Sequence, residues 1–181
     1  MDEEKAIALL KKYSADEDSF NIVLSHSKAV QKVALRIANE ILENGYFVDT
    51  DFIKIAALLH DIGRFKCPPN SKENIKHGVE GAKILKSEGF SEFAEVAEKH
   101  IGAGITKEDI EKHKLDLPLK DYVPETIEEK IISHADNLVF GDREGAINEV
   151  LEKFKKEAGD SAAKRAKELN DEIEELRKGG D

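Results

Sequence analysis

The sequence contains very little cysteine, tryptophan or proline. Among 181 residues there are one cysteine, Cys67, no tryptophan and 4 prolines. A lone cysteine excludes an internal disulfide bond and is typical of proteins in a reducing compartment. The lack of tryptophan and the few prolines favour helices over a β-sandwich. We therefore expect an intracellular protein built from helices.

Long apolar runs and a net positive charge are also missing. No stretch of about 18 apolar residues could span a membrane, and the N-terminus, Met-Asp-Glu-Glu-Lys, lacks the apolar core of a signal peptide. The formal net charge of −10 argues against nonspecific binding to nucleic acid or to an anionic membrane. We therefore expect a soluble, cytoplasmic protein. A phosphate substrate would need a local cationic site, which metal ions can supply.

The most apolar stretch, Ile53–Gly63, is the centre of the predicted fold. Its alanine and leucine pairs favour a helix, which Thr50 or Asp49 can cap and Gly63 is well placed to end. A helix that is apolar on nearly all sides belongs in the middle of a domain. This one ends in the adjacent pair His60-Asp61. Burying a carboxylate beside an imidazole costs several kcal/mol unless something compensates, and a metal ion is the obvious compensation.

Helical periodicity and capping patterns surround this central helix. Apolar residues recur at helical spacing over residues 18–43, after a stretch Ser14–Glu17 that has the form of a capping box. A second capping box, Thr126–Glu129, begins a helix that continues to about Val139. After a glycine-flanked linker at residues 141–145, the chain stays helical and becomes increasingly charged. The sequence therefore predicts an all-α fold, with one main domain and a helical appendage.

Six polar side chains are predicted to point into this core, and all but the adjacent pair come from different helices. Alone, a histidine on an apolar face is more often a core residue bonded to a carbonyl, and a lone aspartate can be a helix cap. Together they need common partners, because buried polar groups are rarely left unbonded. Imidazole and carboxylate ligands suit Zn, Fe, Mn, Co or Ni rather than Ca or Mg alone. The six residues are His26, His60, Asp61, His77, His100 and Asp136.

Other polar residues near this set have less certain roles. Arg64 and Lys66 follow the His60-Asp61 pair in a loop and are candidates to bind phosphate oxygens, although Lys66 fits a solvated loop lysine equally well. His134 is interpreted as a packing residue or as a residue that supports the ligands from behind, and His113 as solvated. Residues 102–124 form an irregular insert that either covers a pocket or merely connects two helices along the surface.

The order His26, His60-Asp61, Asp136 resembles the signature of the HD-domain metal-dependent phosphohydrolases. The resemblance covers about residues 20–140, and His60-Asp-Ile-Gly63 is the form common in one subgroup. It implies an HD-domain helical bundle. On this interpretation residues 1–145 are the phosphohydrolase domain and residues 146–181 a charged C-terminal helical extension, packed on the domain or on a partner subunit.

The resemblance also implies which residue holds which ion. Two histidines between the His-Asp pair and the last aspartate resemble the members with two metals, such as hydrolases of diadenosine tetraphosphate and HD-GYP cyclic dinucleotide phosphodiesterases. In such a site Asp61 would bridge two ions. His26, His60 and Asp136 would hold one ion, and His77 and His100 the other. The Gly-Tyr-Pro motif of the HD-GYP phosphodiesterases is missing here.

The leading hypothesis is a phosphohydrolase that cleaves a phosphoanhydride or phosphoester bond of a nucleotide or dinucleotide by metal-activated hydroxide. Two ions roughly 3.5–4 Å apart can lower the pKa of a water between them to about 7 and align it with phosphorus. Asp61 is the candidate catalytic residue. One alternative is a mononuclear nucleoside monophosphatase, in which His77 and His100 bind substrate or transfer protons. Another is a non-catalytic, metal-stabilised sensor or interaction module.

The C-terminal helix offers a second kind of contact. Ala166, Leu169, Ile173 and Leu176 repeat at three-four spacing, a narrow apolar stripe that can pack on the protein's own domain or on a second copy of the chain. Packing on the same domain is the favoured interpretation, with a homodimer through these helices as the alternative. The expected partner is otherwise a small phosphorylated compound.

Overall fold

The structure, a computed structural model, describes residues 1–179 and is almost entirely helical. Within these residues there are nine α-helices, three short 3-10 helices and one hairpin, so the predicted all-α class is confirmed. The 3-10 helices span Ile62–Phe65, Asn74–Lys76 and Ser91–Phe93. The other elements are α1 (Glu3–Tyr13), α2 (Glu17–Glu43), α3 (Thr50–Leu59), α4 (His77–Ser87), α5 (Ala94–Lys99), α6 (Lys107–His113), α7 (Ile127–Leu138), β1 (Val139–Phe140), β2 (Arg143–Glu144), α8 (Ile147–Glu157) and α9 (Asp160–Lys178).

Helix α3 lies in the middle of the bundle, packed against α1, α2, α5 and α7. Ile53, Ala57 and Leu59 on it are completely buried, as expected for a helix that is apolar on nearly all sides. The long helix α2 runs along α3 and α7 without the break that the sequence allowed near Ser25–Ser27. The His60-Asp61 pair, which follows the end of α3, therefore lies in the interior of the molecule.

The caps of the helices are mostly where the sequence predicts them. Asp49 caps α3 by accepting a hydrogen bond from the backbone N–H of Phe52, and Thr126 begins α7 with the expected capping box. The prediction that Ser14 opens α2 is wrong. Asp16 is the cap, because its carboxylate accepts the backbone N–H of Ser19 at 2.7 Å.

Gly63 does not end α3, contrary to the sequence prediction. The helix ends at Leu59, and Gly63 lies inside the following 3-10 helix without a positive φ. It is required because α4 crosses directly over it. A Cβ at this position would collide with the carbonyl oxygen of His77 and approach the backbone nitrogen of Gly81 to 2.7 Å. The glycine thus lets the start of α4 lie against the His60-Asp61 segment.

The two C-terminal helices pack on the rest of the chain. Helix α9 lies against α7, α8 and α2, and Ala166, Leu169 and Ile173 are buried in the same hydrophobic core as α2, α3 and α7. Because most of the apolar stripe is covered by the chain itself, the structure gives no support to a homodimer through it. The division into domains 1–145 and 146–181 stays a prediction.

The insert at residues 102–124 forms a small apolar cluster of its own. Ile105, Ile110 and Tyr122 are its buried residues, and the backbones of Ile105 and Tyr122 pair as an isolated bridge. The cluster packs against Ile75 in the 3-10 helix Asn74–Lys76 and against Val79 in the first turn of α4. No helix of residues 1–179 is both long and apolar enough to cross a membrane.

We predict that Gly63→Ala destabilises the protein by about 3 kcal/mol, the upper end of overpacking costs, because backbone atoms of α4 must move. Urea denaturation of both forms, compared at equal m-value, measures the change. Gly81→Ala is the matched control. Its added Cβ would lie 3.3 Å from the nearest atom and in a helix, so a much smaller loss is expected. Equal losses in the two variants would contradict this explanation of Gly63.

Candidate metal centre

The structure brings the six predicted side chains together at one point. His26 comes from α2 and Asp136 from α7, which pack side by side along the core. His60 and Asp61 follow the end of α3, His77 is the first residue of α4 and His100 follows the last residue of α5. Five separate segments of the chain therefore meet at the same place. His60, Asp61, His77 and His100 are buried, and His26 and Asp136 are partly exposed.

One side of the centre is formed by His26, His60 and Asp136. The carboxylate oxygen Oδ1 of Asp136 lies 2.9 Å from Nε2 of His26 and 3.5 Å from Nε2 of His60. The two imidazole rings are tilted, with centroids 5.5 Å apart. These three side chains offer one ligand atom each, and the atoms lie within 4.8 Å of one another, close enough to bind a single ion.

Asp61 lies between this group and a second one. Its Oδ2 atom faces the first group, 3.7 Å from Nε2 of His26 and 3.8 Å from Nε2 of His60. Its Oδ1 atom faces the second, 3.3 Å from Nε2 of both His77 and His100. Asp61 thus presents one oxygen to each side. A second set of ligand atoms that could hold an ion combines His60, Asp61 and His100, so His60 is shared by both sets.

Each of the four histidines is fixed by a hydrogen bond at its other ring nitrogen. Nδ1 of His26 lies 2.7 Å from the carbonyl oxygen of Gly141. In the other three, Nδ1 lies 2.6–2.8 Å from the carbonyl oxygen three residues earlier in the chain. A carbonyl only accepts, so every Nδ1 carries a proton, and in a neutral ring Nε2 then presents its lone pair inward. This is the tautomer that metal-binding histidines adopt.

Nε2 of His26 pairs with Oδ1 of Asp136, but the inward nitrogens of the other three histidines lack suitable partners among the described residues. Nε2 of His60 is fully buried and makes no hydrogen bond, which is rare for a polar atom. Nε2 of His77 and Nε2 of His100 lie 3.0 Å apart, where two lone pairs would repel one another. A cation beside both atoms removes each problem. The donor set therefore fits a divalent transition metal, which imidazole and carboxylate ligands favour.

The pKa values in the centre follow from burial and the two carboxylates. Burial opposes a charged ring at His26, but the hydrogen bond and charge of Asp136, with the charge of Asp61, raise its pKa to about 9. Burial lowers the pKa of His77 to about 3, against the opposing effect of Asp61. Burial raises the pKa of Asp61 and Asp136, but the surrounding imidazoles outweigh it and hold both below the ordinary value. Both carboxylates are therefore available as anionic ligands.

The loop cations are placed differently from one another. Nε of Arg64 lies 3.0 Å from Oδ1 of Asp61, and its terminal nitrogen donates to the side-chain oxygen of Asn74. Arg64 therefore orients Asp61, a role that the sequence did not reveal. Lys66 is outside the centre and lies 3.5 Å from the carboxylate of Glu80. Its predicted contact with substrate phosphate stays a prediction, and nothing in its position favours it.

The two remaining histidines are outside the centre, as the sequence predicts. His113 is exposed at the end of α6. His134 is buried on α7, and burial, with the nearby charge of Arg177, lowers its pKa to about 4. Neither belongs to a group of side chains able to hold an ion among the described residues.

A cavity of about 1010 Å³ opens from the centre, and its lining includes residues that the sequence did not single out. Its inner wall contains five of the six predicted ligands, His60 being the exception, together with Arg64. The insert contributes only Gly102 to the lining, next to Ile101, so most of the insert is surface structure in this conformation. Helix α8 contributes Lys153, Phe154 and Glu157, which no local pattern marks as functional. The packing of α8 on α7 and α9 brings them here.

Sequence comparison identifies relatives of this chain. The family model described as HD domain matches residues 23–141. An uncharacterised protein of Methanocaldococcus jannaschii is 45% identical over 181 residues, covering 98% of this chain and 100% of that protein. Proteins named tRNA (cytidine(56)-2'-O)-methyltransferase from Picrophilus torridus and Thermoplasma volcanium are 41% and 39% identical, covering 97% and 93% of this chain. This chain spans 47% and 46% of those two proteins, less than half of each.

Solved structures show the same fold. The HD domain of the Listeria monocytogenes phosphodiesterase PgpH, in complex with cyclic-di-AMP, superposes with a TM-score of 0.56 and 18% identity, over 93% of each chain. The structure of that domain described without the ligand gives the same TM-score and identity, over 93% of this chain and 94% of that one. At this identity the likeness is one of fold.

We predict that His60→Ala weakens binding of Mn²⁺ or Co²⁺ by at least about a hundredfold. The change removes a ligand atom that both candidate sets share, and even substitutions behind the ligands cost roughly 10–100-fold. Calorimetric titration of metal-depleted protein measures the affinity, and circular dichroism checks the fold. His113→Ala, on the surface, should bind as the unchanged protein does. Equal affinity in all three proteins would rule out this cluster as the metal site.

Proposed function

Since this chain belongs to the HD domain family, we propose that it is a metal-dependent phosphohydrolase that cleaves a phosphoanhydride or phosphoester bond of a nucleotide or dinucleotide. The observation that carries the proposal is the convergence of four histidine Nε2 atoms and two ionised carboxylates at the wall of a large cavity. A metal site that only stabilises the fold would not need to open into a cavity. A catalytic site does, because the substrate must reach it.

Two divalent cations held there would supply positive charge for phosphoryl oxygens and an acidified water as nucleophile. We propose that Asp61 bridges the two positions, since its two oxygens already face opposite sides of the centre. His26, His60 and Asp136 would complete one position, and His77 and His100 the other.

The residues around the ligands hold Asp61 in place. The guanidinium of Arg64 contacts Asp61 through Nε and is itself bound by Asn74, so the carboxylate has a fixed orientation. Gly63 allows His77 to approach the same segment. We propose that Arg64 acts as a positioning residue, and that its remaining N–H groups bind substrate phosphate where the cavity exposes them.

Two observations of different kinds support a nucleotide or dinucleotide as the substrate. A cavity of about 1010 Å³ is at the upper end of the volumes of small-molecule sites, so it can accept a whole nucleotide. The PgpH HD domain, which shares the fold, was solved with cyclic-di-AMP. A nucleotide or dinucleotide is therefore the substrate class that we propose, without a preference for a cyclic one.

We predict metal-dependent release of phosphate or nucleoside monophosphate from a panel of nucleotides and dinucleotides. Purified protein would be assayed with Mn²⁺, Co²⁺, Ni²⁺, Fe²⁺ or Zn²⁺. Asp61→Asn should lower kcat by at least about a hundredfold, because the bridging charge is lost, while His113→Ala should retain full activity. Absence of turnover on the whole panel, with metal shown to be bound, would count decisively against an enzyme.

The number of ions separates the binuclear proposal from the mononuclear alternative. We predict two ions per chain in freshly purified protein, counted by inductively coupled plasma mass spectrometry and native mass spectrometry. His77→Ala with His100→Ala should leave one ion, held by His26, His60 and Asp136. A single ion in the unchanged protein would instead favour a mononuclear nucleoside monophosphatase, in which His77 and His100 contact the substrate.

A second candidate function is a non-catalytic module. It is favoured by one observation: relatives named as tRNA methyltransferases contain a matching segment that covers less than half of their length. In that case the metal would stabilise the fold and the surface would serve another protein or domain. The net charge of −10 argues against direct binding to the tRNA backbone. Bound metal without turnover, together with specific binding to a methyltransferase domain, would support this candidate.

A further inference from the structure

Part of the cavity wall comes from helix α8, outside the segment that matches the family. The match ends at residue 141, whereas α8 spans Ile147–Glu157. One side of α8 is apolar, and Val150 on it is almost completely buried in the core. Three residues near the end of the helix, Lys153, Phe154 and Glu157, line the same cavity as the candidate metal ligands. The core thus fixes the position of this wall.

Lys153 is the cation best placed to bind an anion away from the metal ligands. The cations that line the cavity are Arg64 and Lys153, and Arg64 is held by Asp61 and Asn74. Lys153 makes no ion pair with any carboxylate of residues 1–179. Its Nζ atom instead lies 5.4 Å from the centre of the Phe140 ring, which holds the amine at the cavity by a cation–π contact.

Apolar side chains lie beside this lysine. Phe154 packs against Gly102, where an added Cβ would be 3.5 Å from the ring, so the ring lies close to the loop that follows His100. Phe140 lines the same cavity, as does Ile22, which is 69% exposed although it is a large aliphatic residue. Apolar and aromatic surface exposed inside a cavity is typical of a site for a flat, weakly polar group, such as a nucleobase.

Carboxylates restrict where a phosphate can lie in the cavity. Asp142 and Glu157 belong to the lining, and Glu157 is one helical turn beyond Lys153. They would repel phosphate but can accept hydrogen bonds from sugar hydroxyls. The two places that favour phosphate are therefore the metal ligands, with Arg64 beside them, and the amine of Lys153.

We propose that α8 selects nucleotides with two phosphate groups. In this arrangement Lys153 binds the phosphate that is not attacked, and Phe154, Phe140 and Ile22 contact the base. The inference rests on the proposed function in one respect, that the attacked phosphate lies at the metal ligands. A nucleoside monophosphate can reach only one of the two phosphate positions, so it binds more weakly.

The test measures binding rather than turnover. Protein loaded with Mn²⁺ is titrated calorimetrically with α,β-methylene-ADP, pyrophosphate, AMP and inorganic phosphate. Lys153→Ala should weaken binding of the first two probes by about tenfold or more, the size expected for one charge-assisted hydrogen bond, and should leave inorganic phosphate unchanged. Lys156→Ala is the matched control, since Lys156 is exposed on the same helix and does not line the cavity.

A second variant tests the base contact separately. Phe154→Leu should weaken binding of α,β-methylene-ADP severalfold and leave pyrophosphate unchanged, with thermal unfolding checked for each variant. Equal affinities of the Lys153→Ala and Lys156→Ala proteins for every probe would overturn the proposal, as would failure of the unchanged protein to bind any probe. If Lys153→Ala weakens binding but no nucleotide is hydrolysed, the role of α8 stands and the phosphohydrolase proposal fails.

Discussion

The structure depends on one electrostatic constraint: four imidazole Nε2 atoms and two carboxylates face each other inside a helical bundle. Each histidine donates its Nδ1 proton to a backbone carbonyl, so its Nε2 atom points inward. Two such atoms, on His77 and His100, are 3.0 Å apart, and a third, on His60, has no partner. Buried groups in this state cost free energy unless a cation lies among them. The centre is therefore built for positive charge.

Helix ends provide the anchors for this arrangement. His60, His77 and His100 each follow a helical segment and bond to the carbonyl three residues before. Carbonyls at a helix end often lack partners within the helix, although that of Asn74 also accepts the backbone N–H of His77. The ends of the helical segments thus orient the ligands. Gly63 adds the remaining condition, since α4 can carry His77 to the centre only if no side chain lies at residue 63.

The net negative charge of this protein repels phosphate compounds, so the proposed phosphate substrate needs local positive charge in order to bind. In this molecule the proposed ions, Arg64 and Lys153 provide them, and they lie along one cavity. The chemistry at the inner wall belongs to segments that match the HD domain family, whereas the wall that would choose the substrate comes partly from α8. On the proposed function, the groups that would bind the attacked phosphate and those that would select the nucleotide therefore lie on different segments of the chain.

The sequence by itself determined the helical class and most caps, and it singled out the six side chains that meet in the structure, because amphipathic spacing states which face of a helix is buried. Tertiary structure alone decided what those faces meet. The crossing of α4 over Gly63, the contact of Arg64 with Asn74, the turn of Lys66 toward Glu80 and the placement of Lys153 and Phe154 in the cavity all depend on neighbours from another element. Periodicity carries no information on such contacts, since it describes each helix alone and the packing of several helices sets the distances between them.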